Sequence, residues 1–137
     1  MLLRCHKIAG DLNVAHQPID YYNPQDKTTR LQAGTTPEEQ KSFQTQFVEA
    51  GFVDCYRHRY PENQLYSYFS SRRGKVGYDR REGMRIDYIM AGKKSWTTAE
   101  GDGAKKLPSR TVRDAYILDH IWSPYSDHCP VGAIIQL

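Results

Sequence analysis

No stretch of this 137-residue chain approaches the roughly 18 consecutive apolar residues that a membrane-spanning helix needs. The opening "MLLRCHKIAG" is too short and too polar for a secretory signal. Cysteine is scarce: Cys5, Cys55 and Cys129 are odd in number and lack a CxxC spacing. That argues against a disulfide framework or a cysteine-based zinc site and favours a reducing compartment. There is no internal repeat and no low-complexity tract, so solenoid and disordered classes fall away.

What is present fits one ordinary domain. At 39% hydrophobic and 26% charged the chain has enough apolar mass for a core. A net charge of +3 and a pI near 8.7 are compatible with a polyanionic partner but do not by themselves assign one. Ten tyrosines supply apolar bodies with polar tips.

Pattern and punctuation predict alternating strands and loops around one clear helix. "HKIAGDLNV" reads as a short strand that turns at Gly10, and "AHQPIDYYNPQDKTTRLQAG" as a long loop. Thr36 as N-cap, Pro37 and Glu39 announce a helix with Phe43, Phe47 and Ala50 on one face, stopped at Gly51. "LYSYFSS", "RIDYIMAG", "TVRDAYILD" and "VGAIIQL" read as strands, the last of them, with few charges, well inside a sheet. "SRRGKVGYDRREGMR" is a basic loop, and residues 92–110, rich in Gly, Lys and Ser, a flexible insertion. The fold class is therefore α/β.

Three apolar segments carry acids or a histidine where none is cheap. In "AGDLNVAH" strand alternation would point Asp11 and Asn13 the same way, an oxygen-rich edge suited to a hard cation or a held water; turn formation is the alternative. In "MRIDYIM" Asp87 should face away from Ile86 and needs a partner, either a histidine or an arginine such as Arg85. In "SDHCP" Asp127 and His128 precede Pro130 and either order a loop or do chemistry. Together they read as one polar cluster at sheet ends.

The strings "GDLNVAH", "ID..NP", "GF.D.YRH.YP", "YSYF", "RIDY" and "SDHCP" occur in an order that resembles the exonuclease III-like apurinic/apyrimidinic (AP) endonucleases of the endonuclease/exonuclease/phosphatase superfamily. The resemblance covers Ile8 to Leu137. It implies half of a four-layered, DNase-I-like α/β sandwich, with a mixed sheet and at least one packed helix. It implies metal-dependent hydrolysis of the phosphodiester 5′ to an abasic site in double-stranded DNA, with 3′–5′ exonuclease or 3′-phosphatase activity beside it. The catalytic set would be Asp11, Asn13, Asp87 and His128. Asp11 would orient the attacking water, Asn13 would bond the phosphate, and His128, steadied by Asp87, would stabilise charge. Asp11, Asn13, Asp127 and His128 would surround Mg²⁺, with Mn²⁺ as a substitute. Tyr68, Met84 and Ile86 would wall the pocket for the base-free sugar, and Arg72 and Arg73, in a basic loop running to Arg85, would meet the DNA. A nuclear site is expected from a DNA substrate, or the cytoplasm in a prokaryote.

The chain departs from that pattern in extent. Its 1–137 span corresponds to the C-terminal half of the domain, so the N-terminal half, with further metal-binding acids, would be a missing partner. A non-catalytic DNA-binding remnant and a phosphoesterase with another substrate are the alternative functions.

Overall fold

A computed structural model describes residues 7–93 and 111–136. Among these residues seven strands and four short α-helices make a mixed α/β fold in which every strand pairing is antiparallel. Strand β5 (Asp87–Gly92) lies between β1 (Lys7–Asp11) and β2 (Phe52–Asp54). Strands β3 (Tyr68–Phe69) and β4 (Gly83–Met84) form a two-residue ladder, and β6 (Thr111–Ile117) pairs with β7 (Val131–Gln136).

The alternation of β5 explains the layering. Tyr88 and Met90 join Phe43 in one buried cluster, with Ile8, Leu12 and Phe52 packed on it. Ala91 joins Cys55, Val112, Ala115 and Ile117 in another, with Ile89 packed against it. A strand buried on both faces reads as a near-continuous apolar run, as "DYIMAG" does. Each fully buried large side chain contributes about 1.5–3 kcal/mol by leaving water.

The helix at Thr36 forms as its signals predict. Helix α2 (Pro37–Phe43) has Thr36 as N-cap and Glu39 closing the capping box; α1 (Lys27–Arg30) precedes it inside the long loop. Beyond Phe43 the α-helical continuation predicted to Ala50 does not hold. Gln44–Val48 form a π-turn, with the Glu49 N–H donating to the Gln44 carbonyl at 2.9 Å. His16 stacks on Phe43 at 4.7 Å and bonds Gln44 at 3.1 Å, so this bulged turn receives a side chain from the segment after β1.

Other expectations are corrected. The tyrosine-rich strand shrinks to Tyr68–Phe69, and the carbonyl of Ser67 ahead of it accepts from Cys129. The basic loop contains α4 (Gly74–Asp79), and α3 (Cys55–Arg59) follows β2 directly. Strand β7 does not lie inside a sheet: among the described residues it has the single partner β6, and its Ile134 is 54% exposed. Gly92 belongs to β5, paired with Phe52, and 94–110 of the expected insertion lie outside the described residues. No helix among the described residues is long and apolar enough to cross a membrane.

Arg85, expected to face DNA, is instead 1% exposed. It holds fully buried Asp20 with two hydrogen bonds, at 2.8 and 3.0 Å, and Asp54 with a third at 2.7 Å. Arg57 reaches Asp20 at 2.5 Å and satisfies the carbonyls of Tyr60, Pro61 and Asn63. Burial pushes the Asp20 carboxyl up, but Arg85 and Arg57 outweigh it and hold the group below its ordinary value. The buried ion cluster ties the long loop to β2, α3 and the segment just ahead of β5. Much of the remaining positive charge of the loop is internally matched: Arg73 by Glu82, Lys75 by Asp79 and Arg81 by Asp119.

Candidate active site

Asp11 ends β1 and stands directly opposite Asp87, the first residue of β5. His128 enters from the turn that leads into β7. One ligand atom from each of the three lies within 4.8 Å of the others. The His128 Nδ1–H donates to Asp87 Oδ2 at 2.8 Å, leaving Nε2 facing Asp11 Oδ2 at 3.9 Å. An ionised carboxylate only accepts, so this bond fixes the tautomer and aims Nε2 outward. Of the two partners open to Asp87, the histidine is the one it takes; Arg85 is committed to Asp20 and Asp54.

Asp87 alternates with Tyr88 along β5 and so lies on the face of Ile89 and Ala91. That is the face against which β6 and β7 pack, which is how a residue just ahead of β7 reaches it. Ser67 locks the arrangement. Its Oγ accepts the N–H groups of both Ile86 and Asp87 at 3.0 Å, and its carbonyl accepts the Cys129 N–H at 2.7 Å. One buried serine thus stitches the strand bearing Asp87 to the loop bearing His128. Ser67→Ala leaves two N–H groups without an acceptor and should cost about 1–3 kcal/mol in urea unfolding, while Ser67→Thr, which keeps the oxygen, costs less. A shift within error for Ser67→Ala would show that the oxygen does not hold the strand.

Asn13 does not continue the strand. It has φ +54°, a left-handed conformation that asparagine tolerates, and its N–H donates to Asp11 Oδ1 at 2.9 Å. The alternation that pointed Asp11 and Asn13 the same way therefore stops at Asp11. The loop is held from beneath. The Tyr88 hydroxyl donates to the Val14 carbonyl at 2.6 Å and accepts the His16 N–H at 3.2 Å, and Gln40 donates to the Ala15 carbonyl at 2.9 Å. Gly34, at φ +88°, lies so close that a Cβ would meet the Asn13 carbonyl oxygen at 3.0 Å. Tyr88 and Gly34 are positioning residues that sequence reasoning passed over; Tyr88 sits beside Asp87 in the quoted "RIDY".

Asp127 is not one of the three gathered residues. Its carbonyl accepts the Phe69 N–H at 2.8 Å, and it lines a different hollow, with Phe69 and Trp122. Tyr68 lies beside His128 in a β-bridge, ring centroids 5.1 Å apart. It also walls an open hollow of about 370 Å³ together with Tyr22, Gln32, Met84, Arg72 and Arg73. Four of the five expected substrate contacts therefore share one hollow next to the histidine. Ile86 is 4% exposed and packs with Ala15 and Tyr21 beneath Tyr68 and Met84, supporting the wall rather than lining it.

The donor set suits a divalent cation. Two carboxylates directly opposite on neighbouring strands repel each other, and a cation between them removes that repulsion. Asp11 offers an exposed oxygen; water and substrate oxygens would complete the shell of a hard ion. The buried thiols are poor alternative nucleophiles: burial pushes Cys55 up to about 12 and raises Cys129.

No family profile matches the chain. It is 41% identical over 131 residues to the exodeoxyribonuclease of Bacillus subtilis, covering 95% of this chain and 44% of that protein. It is 46% identical over 130 residues to the DNA repair nuclease APEX1 of Danio rerio, covering 95% of this chain and 36% of that one. The crystal structure of an AP endonuclease from Leishmania major superposes with a TM-score of 0.72 at 29% identity, over 93% of this chain and 34% of that one. The chain thus spans less than half the length of each of these three proteins. Along nearly all of its own length this chain is similar, in sequence and in fold, to part of proteins named as an exodeoxyribonuclease, a DNA repair nuclease and an AP endonuclease.

Proposed function

We propose that this chain carries the phosphodiester-cleaving site of an AP endonuclease, corresponds to the C-terminal part of that domain, and acts 5′ to abasic sites in duplex DNA. The single observation that carries this reading is the convergence of Asp11, Asp87 and His128 beside the hollow of Tyr68, Met84, Arg72 and Arg73. Chemistry of one kind meets a binding surface of the matching charge.

A phosphodiester repels nucleophiles, so its charge must be offset before water can attack. As an imidazolium, held at Nδ1 by Asp87, His128 would donate its Nε2–H to a phosphate oxygen. Asp11 holds the attacking water and takes its proton, while the Asn13 N–H bond to Asp11 Oδ1 fixes that carboxylate. Tyr68 and Met84 receive a sugar without its base, which costs little to unstack. Arg72, which is exposed, and Arg73 approach the backbone phosphates. Asp11, with His128 and Asp87 near it, would hold Mg²⁺ or Mn²⁺, which would supply Lewis-acid stabilisation of the phosphoryl charge. The same reading gives the products as a 3′-hydroxyl and a 5′ sugar phosphate, allows 3′-end trimming, and puts the chain in the nucleus, or in the cytoplasm of a prokaryote.

The test is single-turnover cleavage of a duplex with one abasic analogue, protein in excess, with and without chelator. A slow nick 5′ to the analogue that vanishes on chelation is expected. Binding without any nick would leave a DNA-binding remnant, and cleavage that ignores the analogue would overturn the substrate.

A further inference from the structure

Two arginines border the hollow beside His128, and they are not equally free. Arg72 is exposed and, among the described residues, pairs with no carboxylate. Arg73 Nη2 lies 2.5 Å from Glu82 Oε2, and Glu82 lines the same hollow. The Glu82 side chain is 15% exposed against 53% for Arg73. The acid is therefore the seated partner and the arginine the outer one.

The fold builds this pair. Helix α4 ends in a Schellman-type reversal. Arg81, at φ +57°, donates its N–H to the Tyr78 carbonyl at 2.9 Å, and the Glu82 N–H donates to the Gly77 carbonyl at 2.9 Å. The reversal returns Glu82 to the side of Gly77. Arg73 lies one helical turn ahead of Gly77, on the same face. A Cβ at Gly77 would meet the Arg73 Cβ at 2.5 Å and lie 3.9 Å from Glu82 Oε2. Glycine thus leaves the room in which the arginine reaches the acid. Arg81 is itself clamped, bonded to Asp119 and 5.1 Å from the Phe69 ring centroid, which holds the reversal in place.

An arginine whose charge is cancelled by a fixed carboxylate brings no net charge to a phosphate and releases no counterion from DNA. We propose that Glu82 is an affinity brake on the DNA site: it withholds Arg73, so that of the two arginines only Arg72 neutralises a backbone phosphate. The proposal rests on the reading that duplex DNA binds at this hollow. Phosphate contacts position a duplex without reading its bases, so the brake lowers affinity for intact and abasic duplex alike.

The full chain, Glu82→Gln, Arg73→Ala and the doubly substituted chain are titrated with fluorescent intact duplex and with duplex carrying one abasic analogue, between about 50 and 200 mM salt. Glutamine keeps the size of Glu82 and its backbone bond to Gly77. Glu82→Gln should steepen the dependence of log affinity on log salt by about 0.9, which is about a three- to fourfold greater gain in affinity across that range. Arg73→Ala should keep the parental slope, and the doubly substituted chain should return to it. The same increments are expected on both duplexes. A parental slope for Glu82→Gln overturns the brake. So does a steeper slope that survives in the doubly substituted chain, because Glu82 then acts by its own charge. A shallower slope for Arg73→Ala alone also overturns it, because that arginine was then already in contact. In these three cases binding persists and the nucleic-acid reading stands. If parent and variants alike bind neither duplex, the proposal falls together with that reading.

Discussion

His128→Ala should reduce single-turnover cleavage of abasic duplex by about 10²–10⁴-fold while leaving DNA affinity within a few-fold. The reason is geometric. Nε2 faces the Asp11 carboxylate across 3.9 Å, where a phosphate oxygen would sit, whereas the binding surface is built from Tyr68, Met84 and the arginines. Asp87→Asn is the sharper companion. It keeps size and packing but replaces the anionic acceptor at Nδ1 by a neutral amide, so the ring loses the carboxylate that partners its doubly protonated form. A fall of similar order is expected for Asp87→Asn, since a neutral ring no longer offsets phosphate charge. Asn13→Ala should also lower cleavage without releasing DNA. If His128→Ala weakens binding as much as it slows cleavage, the residue is a contact and not a catalyst. If Asp87→Asn cleaves normally, the 2.8 Å bond does not direct the imidazole.

Asp20→Ala should lower stability by about 3–5 kcal/mol, because it removes the shared carboxylate of two buried guanidiniums. Arg85 keeps Asp54, but Arg57 keeps only carbonyl partners. Differential scanning calorimetry should show a fall in Tm of about 10 °C or more at this chain length. By contrast, Asp79→Ala breaks an exposed helical pair with Lys75, worth about 0.3–0.5 kcal/mol. The pH dependence follows from the lowered Asp20 carboxyl. Its stabilisation is fully present above the ordinary aspartate value near 3.9. It is lost as pH falls from there through the lowered folded value. Asp20→Asn should therefore flatten the acid limb of the stability curve while lowering its plateau. A Tm change no larger than that of Asp79→Ala would show that the buried cluster does not hold the long loop.

The capped start of α2, the apolar run of β5 and the short polar motifs were legible in the sequence because each is local. A cap needs residues three apart, and a buried strand needs only its own composition. That Asp11, Asp87 and His128 would come together was legible for a related reason: ionisable groups set into apolar segments must have partners. What was not legible was which partner each would choose. Asp87 stands two positions from Arg85 in sequence, yet different surroundings claim them. Arg85 goes to Asp20 and Asp54 across loop and sheet, and Asp87 to a histidine 41 positions away.

Arg85 of the basic loop misled for the same reason. Charge is read from composition, but whether a cation is free depends on distant anions such as Asp20, Glu82 and Asp119. The burial of Ile86 under the hollow and the departure of Asn13 from the strand likewise depend on long-range packing. The sequence by itself determined the secondary-structure signals and the inventory of chemical groups, since these rest on short-range sterics and on the cost of burying charge. Only the tertiary structure decided pairing, exposure and aim, because hydrogen bonds and ion pairs are settled by which surfaces β5, β7 and the long loop bring into contact.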